Sequence, residues 1–227
     1  MEREGVARFP GAEGRIPNFG GAKLAAEKLA AHRLWKRARV IKVNPDSPQT
    51  HARRIALEEG KTLIMAVPRL RDIHPFRLLD PSKLSAKQVR EAATIKGALR
   101  HGKVTADEDL PEIDFVLSGS VGVNLSGARV GKGGGFSDLE FAVASEAGLI
   151  GPDTVVVTTV HESQVLPAGE IPTTDHDVPL DLIVTPDRVI EIPRRKRRPR
   201  VAIQWTELTD EKIAAIPLLT RLRVSRT

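Results

Sequence analysis

Short runs of apolar residues alternate along this chain with longer segments in which apolar residues recur every three or four positions. The short runs predict buried β-strands, at Val40–Val43, Thr62–Val67, Ile113–Leu117, Thr154–Val160 and Asp181–Thr185. The longer segments predict helices, at Gly21–Lys36, Ser47–Glu59, Ser85–Gly97, Leu139–Gly148 and Thr209–Ile216. Because strands that alternate with helices pair in parallel through right-handed crossovers, the pattern predicts an α/β fold: a three-layer domain with a largely parallel central sheet and helices on both faces.

The C-terminal part of the chain departs from this alternation. Arg188–Ile192 is predicted to pair as an edge strand in a hairpin with the strand before it. We therefore place the α/β domain in residues 1–192 and a C-terminal extension, which packs on the same domain, in residues 193–227. Within the extension, we expect a short strand from Val201 and contact between Trp205 and the core.

Composition bounds the function. Of the 227 residues, none is cysteine, which excludes disulfides and Cys-ligated zinc. No apolar run is long enough to cross a bilayer and no cleavable signal is apparent, so we expect a cytoplasmic protein without a membrane partner. The net charge of +6 comes from one basic run and leaves 29 basic residues against 29 acidic ones elsewhere, which makes nucleic acid an unlikely partner. The run comprises Arg194, Arg195, Lys196, Arg197, Arg198 and Arg200. The pattern leaves the oligomeric state open.

A glycine-rich stretch, Gly127–Asp138, lies between the predicted strand Ile113–Leu117 and the predicted helix that begins at Leu139. Strand, glycine-rich loop and helix form a phosphate-binding arrangement. Glycine lets the backbone approach an anion, and the free N–H groups at the helix start point towards it. The alternative is a flexible surface loop.

The spacing of these glycines excludes two better-known phosphate-binding loops. A Walker A loop has four residues between its first glycine and its Gly-Lys pair, and a Ser or Thr after the lysine. Here three residues precede the pair and a glycine follows the lysine. The G-x-G-x-x-G spacing of a dinucleotide-binding fingerprint is also absent. Charge at the ends of the stretch, on Arg129, Lys132 and Asp138, nevertheless favours phosphate binding over a flexible loop.

Residues 129–138, Arg-Val-Gly-Lys-Gly-Gly-Gly-Phe-Ser-Asp, resemble the R-[LI]-G-x-G-x-G-[YF]-x-D signature of the 5-formyltetrahydrofolate cyclo-ligases, also called methenyltetrahydrofolate synthetases. Gly-Lys in place of Gly-Arg, and a single aromatic before the aspartate, resemble more closely the branch called methenyltetrahydrofolate synthase domain-containing proteins. The resemblance extends over most of the chain, through four further segments in the same order: Arg15–Phe19, Lys42–Asp46, Val67–Arg71 and Val160–Val165.

The resemblance implies an α/β fold of the predicted kind and an ATP- and Mg²⁺-dependent ligase that converts 5-formyltetrahydrofolate to 5,10-methenyltetrahydrofolate. In the family, ATP phosphorylates the formyl oxygen, N10 attacks the activated carbon and phosphate leaves. Such a reaction requires two substrates to be positioned and the charge of the transferring phosphoryl group to be offset.

The resemblance also implies roles for individual residues of the loop. Arg129 and Lys132 would be the catalytic cations, which offset charge on the γ-phosphoryl group. Asp138 would hold Mg²⁺, with Asp177 as a second metal candidate whose alternative is a turn-forming acid. The implied ATP-binding set comprises Arg129, Gly131, Lys132, Gly133, Gly134, Gly135, Phe136 and Asp138.

Three residues are implied to contact the folate. Asp46 follows a predicted strand, where the family has a glutamate that holds the pterin; its alternative is an acid that interacts with a helix dipole. Phe136 would form an apolar wall, and Gln164 matches a family glutamine near the substrate.

The chain departs from the family at several positions. Ser137 replaces the second aromatic of the loop, and Leu139 replaces an arginine. The N-terminal basic motif that contacts ATP is absent, while Met1–Gly5 resembles the last turn of a helix, with Gly5 at its C′ position. We therefore expect the native chain to begin upstream of Met1. These departures leave two alternatives to a cyclo-ligase of weakened activity: a catalytically silent nucleotide- or folate-binding protein and, less favoured, a protein that binds nucleic acid through the basic run.

Overall fold

The structure is a computed structural model that describes residues 1–174, 177–193 and 201–224. The basic run lies outside the described residues. The strands, in chain order, are β1 (Ala7–Arg8), β2 (Asn18–Phe19), β3 (Val40–Val43), β4 (Thr62–Ala66), β5 (Phe76–Leu79), β6 (Lys103–Val104), β7 (Ile113–Leu117), β8 (Gly122–Asn124), β9 (Arg129–Val130), β10 (Ile150–Thr159), β11 (Val165–Leu166), β12 (Leu182–Val184) and β13 (Val189–Glu191). The helices are α1 (Ala22–Ala31), α2 (Arg33–Arg37), α3 (Thr50–Glu58), α4 (Ala86–Ala92), α5 (Ile95–His101), α6 (Phe136–Glu146), α7 (Asp210–Ala215) and α8 (Pro217–Val224).

The central sheet confirms the predicted α/β fold. Its strand order is β13-β12-β10-β7-β3-β4-β5-β6. The five strands from β12 to β4 pair in parallel, while β13, β5 and β6 add antiparallel edges. The predicted edge strand is therefore confirmed as β13, and its turn is closed by a bond from the Thr185 amide to the Arg188 carbonyl of 2.9 Å.

Two apolar clusters lie on opposite faces of this sheet, which confirms the three-layer arrangement. One joins the sheet to α1, α3, α4 and α5, and encloses Trp35, which is fully buried. The other joins it to α6, α7 and α8. Alternate residues of each central strand face opposite clusters, so Ile64 and Leu63 of β4 belong to different cores.

Two predicted helices are each divided in two. His32 adopts an extended conformation (φ −74°, ψ 144°) between α1 and α2, and its side chain accepts a hydrogen bond from the amide of Leu34. Between α4 and α5, the Thr94 hydroxyl caps a new helix by accepting from the Gly97 amide at 3.0 Å. A Cβ at Gly97 would lie 1.9 Å from the Glu91 carbonyl oxygen, so glycine is required where the two helices meet.

The C-terminal prediction was partly wrong. The described residues from Val201 to Gln204 form no strand, because they lie against α6: the amide of Val201 donates to Ser145 Oγ and that of Ile203 to Glu146 Oε1. A helix follows as predicted, and α8 continues after Ile216, which adopts an extended conformation between the two.

Two further observations concern the predictions about the ends and the membrane. At the N-terminus, the Gly5 amide bonds to the Glu2 carbonyl and the Val6 amide to the Met1 carbonyl, the bonding pattern of a Schellman helix end. Among the described residues, no helix combines the length and the apolar character that a membrane span needs.

Candidate functional site

A cavity of 510 Å³ opens where the parallel strands β3 and β7 end. Asn44 and Asp46 follow β3 and line one side, Gly119 follows β7, and the glycine-rich loop lines the other side. Ligands in open α/β sheets bind at the carboxyl ends of strands, so the cavity lies where the fold class places a binding site.

Contrary to our expectation from the sequence, the glycine-rich loop does not follow β7 directly. The hairpin of β8 and β9 intervenes. Its turn is formed by Asn124, whose side-chain oxygen accepts from the amides of Ser126 and Ala128 at 3.0 Å each, and by Gly127 with φ 87°. The sequence analysis treated Gly127 as the start of the anion loop; its conformation serves the hairpin.

The backbone of the loop has the form that glycine permits. Gly133 and Gly135 have φ of 84° and 61°, in the left-handed region that side chains avoid. Gly135 immediately precedes α6, which begins at Phe136, three residues earlier than expected. The first amides of a helix of 11 residues therefore follow the loop, and such amides attract anions.

The two charged residues at the ends of the stretch form an ion pair. Arg129 contacts Asp138 Oδ1 and donates a longer bond of 3.4 Å to the Gly119 carbonyl. The Arg129 side chain is only 4% exposed, whereas that of Asp138 is 37% exposed at the cavity. Lys132 lines the same cavity and is exposed. The pair neutralises one predicted cation and one predicted metal ligand, and Lys132 stays available to an anion.

Asp46 faces the loop across the cavity. Burial raises the pKa of its carboxyl, although Lys132, Arg53, Lys42 and Arg129 favour the charged form. A Cβ on Gly119 would lie 2.3 Å from Asp46 Oδ2, so only glycine allows the carboxylate its position.

Arg53, which the sequence analysis did not single out, fixes the backbone that carries Asp46. Its guanidinium is fully buried and donates to the carbonyls of Asn44 at 2.9 Å, Asp46 at 3.0 Å and Ala93 at 2.8 Å. Burial lowers the pKa of Arg53 to about 10, which leaves it charged at neutral pH.

The sequence analysis also missed a buried polar cluster that underlies the cavity. Lys42 of β3 and Glu140 of α6 are 1% and 2% exposed and form an ion pair. Asn44 donates to the same Glu140 oxygen at 2.9 Å. Burial raises the pKa of Glu140, and Lys42 opposes the rise. One signal was present: each charged residue interrupts an apolar run, and a charge inside a core element requires a partner.

The remaining predicted site residues lie at different distances from the cavity. Phe136 and Asp177 line it. Asp177 also accepts a hydrogen bond of 2.7 Å from the Thr174 amide, which is the contact expected if this residue forms a turn. Gln164 does not line the cavity: its amide group donates to the carbonyls of Ser120 and Val121 and accepts from the His161 amide. The structure therefore does not bring Gln164 to the other site residues.

The described residues contain no group of three or more His, Asp or Glu side chains arranged to hold a metal ion. Asp138 and Asp177 both line the cavity, and Mg²⁺ is commonly held by one or two carboxylates together with substrate phosphates. The donor set fits a metal that arrives with a nucleotide.

Comparison with known proteins gives consistent results. The sequence profile of the 5-formyltetrahydrofolate cyclo-ligase family matches residues 8–186. A bovine methenyltetrahydrofolate synthase domain-containing protein is 38% identical over 98% of this chain, and the human protein of that name is 34% identical over the same share. The chain spans 59% and 58% of these two relatives.

The comparison with solved structures supports the same fold. The NMR structure of 5,10-methenyltetrahydrofolate synthetase from Aquifex aeolicus superposes with a TM-score of 0.51, over 82% of this chain and 87% of that one, at 18% sequence identity. At this identity, the likeness supports the fold alone.

Proposed function

Because this chain belongs to the 5-formyltetrahydrofolate cyclo-ligase family, we propose that it binds MgATP at the glycine-rich loop and uses it to close 5-formyltetrahydrofolate to 5,10-methenyltetrahydrofolate. The observation that carries the proposal is the cavity itself. It joins main-chain amides at a helix start, an exposed lysine and a solvent-accessible aspartate in a space of 510 Å³.

In this reaction, the formyl oxygen attacks the γ-phosphorus and the bond to ADP breaks. The lone pair of N10 then forms a bond to the activated carbon, inorganic phosphate leaves with the C–O bonding electrons, and N10 loses its proton. The site's task is to hold the phosphates and the folate in line and to exclude water.

Each side of the cavity has a part in this task. The amides between Gly131 and Gly135 would accept the phosphates, and Lys132 would offset the charge that moves to the leaving ADP. Asp138, with Asp177 beside the same cavity, would hold Mg²⁺, which supplies further charge neutralisation on the phosphate oxygens. Asp46 and Phe136, which line the same cavity, would contact the pterin.

The ion pair between Arg129 and Asp138 supports a second candidate, a protein that binds nucleotide or folate without turnover. Arg129 neutralises the carboxylate that would hold Mg²⁺, and Asp138 neutralises a cation that would offset the charge of the phosphoryl group. Binding to the loop amides and Lys132 leaves the pair intact, whereas Mg²⁺ at Asp138 would compete with Arg129 for the charge of the carboxylate.

One assay separates the two candidates. The protein is incubated with MgATP and 5-formyltetrahydrofolate, and the near-ultraviolet absorbance of the methenyl product is followed alongside calorimetric binding of each ligand. We expect product from the wild type and none from Lys132→Ala or Asp138→Ala, while Lys87→Ala, an exposed lysine of α4, behaves as wild type. Binding without product favours the silent protein. If both site variants bind MgATP and form product as the wild type does, the nucleotide site lies elsewhere.

A further inference from the structure

A lysine from the C-terminal helices reaches into the glycine-rich loop. Lys212 of α7 donates from Nζ to the carbonyl oxygen of Gly134 at 2.9 Å, and the same nitrogen lies 5.5 Å from the ring centroid of Phe136. Lys212 lies outside residues 8–186, the part of the chain that the family profile matches. A cation is therefore supplied to the loop by a segment that the family signature does not contain.

The position of this lysine is fixed from its own helix. The Thr209 hydroxyl caps α7 by accepting from the Lys212 amide at 3.2 Å. The next residue, Ile213, is 7% exposed and belongs to the core that α6 shares with the sheet. With the backbone held on both sides, the side chain extends along Phe136 towards the loop.

The loop leaves room for the ammonium group. A Cβ on Gly135 would lie 3.2 Å from Lys212 Nζ, closer than most contacts of this kind. Glycine at this position allows the positive φ and leaves the ammonium group of Lys212 unobstructed.

The charges near the loop give this contact its meaning. Arg129 is committed to Asp138, so it contributes little free positive charge. An ammonium group has three donors, of which the Gly134 carbonyl uses one. Lys212 lines a second cavity of 240 Å³, which adjoins the first because both are lined by Gly135, Asp138 and Asp177.

We propose that Lys212 is a phosphate-binding residue: its ammonium group, held at the Gly134 carbonyl, contacts the triphosphate of a nucleotide on the glycine-rich loop. This proposal rests on the proposed function, because it takes the loop as the phosphate site. It adds a residue of the C-terminal extension to that site, so that nucleotide binding depends on the docking of α7.

The test compares four variants of the full chain with wild type by calorimetry, using MgATP and inorganic triphosphate as ligands. Lys212→Met is expected to weaken the binding of both by about tenfold or more, as the loss of a charge-assisted contact does. Lys212→Arg, which keeps the charge, retains most of the affinity. Arg223→Met removes a cation that pairs with Asp210 on the same helices and binds as wild type.

Lys212→Gln distinguishes a phosphate contact from a structural clip. Glutamine keeps an N–H donor, on a side chain one atom shorter, but carries no charge, so we expect it to bind as weakly as Lys212→Met. It also serves if the methionine variant does not fold. Glutamine at wild-type affinity would show that Lys212 only holds the loop, and would overturn the inference.

The outcomes also separate this inference from the proposed function. If Lys132→Ala loses MgATP while Lys212→Met and Lys212→Gln bind as wild type, the inference fails and the loop remains the nucleotide site. If the wild type binds neither MgATP nor inorganic triphosphate, the proposed function fails first and the inference falls with it.

Discussion

Two buried charged residues beneath this site hold its elements in position. Lys42 and Glu140 are almost fully buried and pair with each other between a central strand and the helix that follows the glycine-rich loop. A buried ion pair adds little net stability, because desolvation offsets the attraction, but a lone buried charge is very costly. The pair therefore fixes how α6 sits on β3, and with it the start of the helix at the loop.

We predict that Lys42→Met destabilises the protein by about 3–5 kcal/mol, because it leaves Glu140 as an unpaired buried charge. The double variant Lys42→Met/Glu140→Leu should recover much of that loss, since both charges are then removed. Urea unfolding of the two variants and the wild type measures the difference. Lys23→Met, which removes an exposed pair with Glu27, should cost less than about 1 kcal/mol. Equal destabilisation by the single and the double variant would contradict this account.

Asp46 gives a prediction about pH. Because burial raises its pKa above the ordinary 3.8, the folded protein holds the proton more tightly than the unfolded chain does. The stability that wild type gains from this proton is present below pH 3.8 and is lost as pH rises through the folded pKa. Asparagine does not ionise, so Asp46→Asn does not lose stability in this way, and we expect it to be more stable than wild type at pH 7. We also expect it to bind folate more weakly, because the carboxylate proposed to contact the pterin is absent.

Thermal unfolding of Asp46→Asn and wild type between pH 3 and pH 7 checks this expectation. The difference in melting temperature should grow with pH and then level off. Asp153→Asn, an exposed residue of β10, provides the control and should follow wild type throughout. A variant that is less stable than wild type at pH 7 would show that the cations around Asp46 outweigh its burial.

At the scale of elements, the loop glycines are not equivalent. A Cβ on Gly131 would meet open space, and this residue does not have positive φ. A Cβ on Gly133 would also meet open space, but there φ is 84°. Only alanine at Gly133 would strain the backbone. Comparison of the two positions therefore distinguishes the effect of backbone conformation from the effect of available space.

We predict that Gly133→Ala lowers the free energy of unfolding or distorts the loop at a cost of about 1 kcal/mol, while Gly131→Ala is neutral for stability. Chemical denaturation measures the change in the free energy of unfolding. Calorimetry measures the affinity for MgATP, which we expect Gly133→Ala to lower by roughly fivefold, the equivalent of that energy. If the two variants behave alike in both measurements, the positive φ of Gly133 has no role in binding.

For the whole molecule, the C-terminal extension contributes to one of the two cores. Ile203, Ile213, Ile216, Leu218 and Leu219 are all buried in the cluster that includes α6. Burying such a side chain is worth about 2 kcal/mol, so five of them approach the whole stability of a typical domain, roughly 5–15 kcal/mol. We propose that residues 193–227 belong to the same folding unit as residues 1–192.

A chain truncated after residue 192 should therefore fail to unfold cooperatively and should expose apolar surface. Dye binding and urea unfolding report both effects. Arg223→Met provides the control: it removes an exposed ion pair with Asp210 but none of the buried side chains, so it should leave the midpoint nearly unchanged. A truncated protein with the wild-type midpoint and slope would make the extension a separate appendage.

Several elements were predictable because their signal is local. The strand Ile113–Leu117 was placed with its observed bounds, and the helix predicted to begin at Ser85 does begin there, where Ser85 and Gln88 form a capping box. Helix lengths were less certain, since the break at His32 lies inside a segment whose apolar pattern continues. The short strand β5 was missed, because its pairing with β4 is what makes it a strand.

The sequence by itself determined the order of the five parallel strands and of the helical segments between them, the α/β class and the resemblance to a folate enzyme family, because periodicity and motif spacing are properties of neighbouring residues. Only the tertiary structure decided which charges meet at the cavity. Lys42 and Glu140 are 98 residues apart, and Lys212 lies 78 residues from Gly134. Local pattern cannot encode such contacts, since they depend on how strands and helices from distant parts of the chain pack against the same sheet.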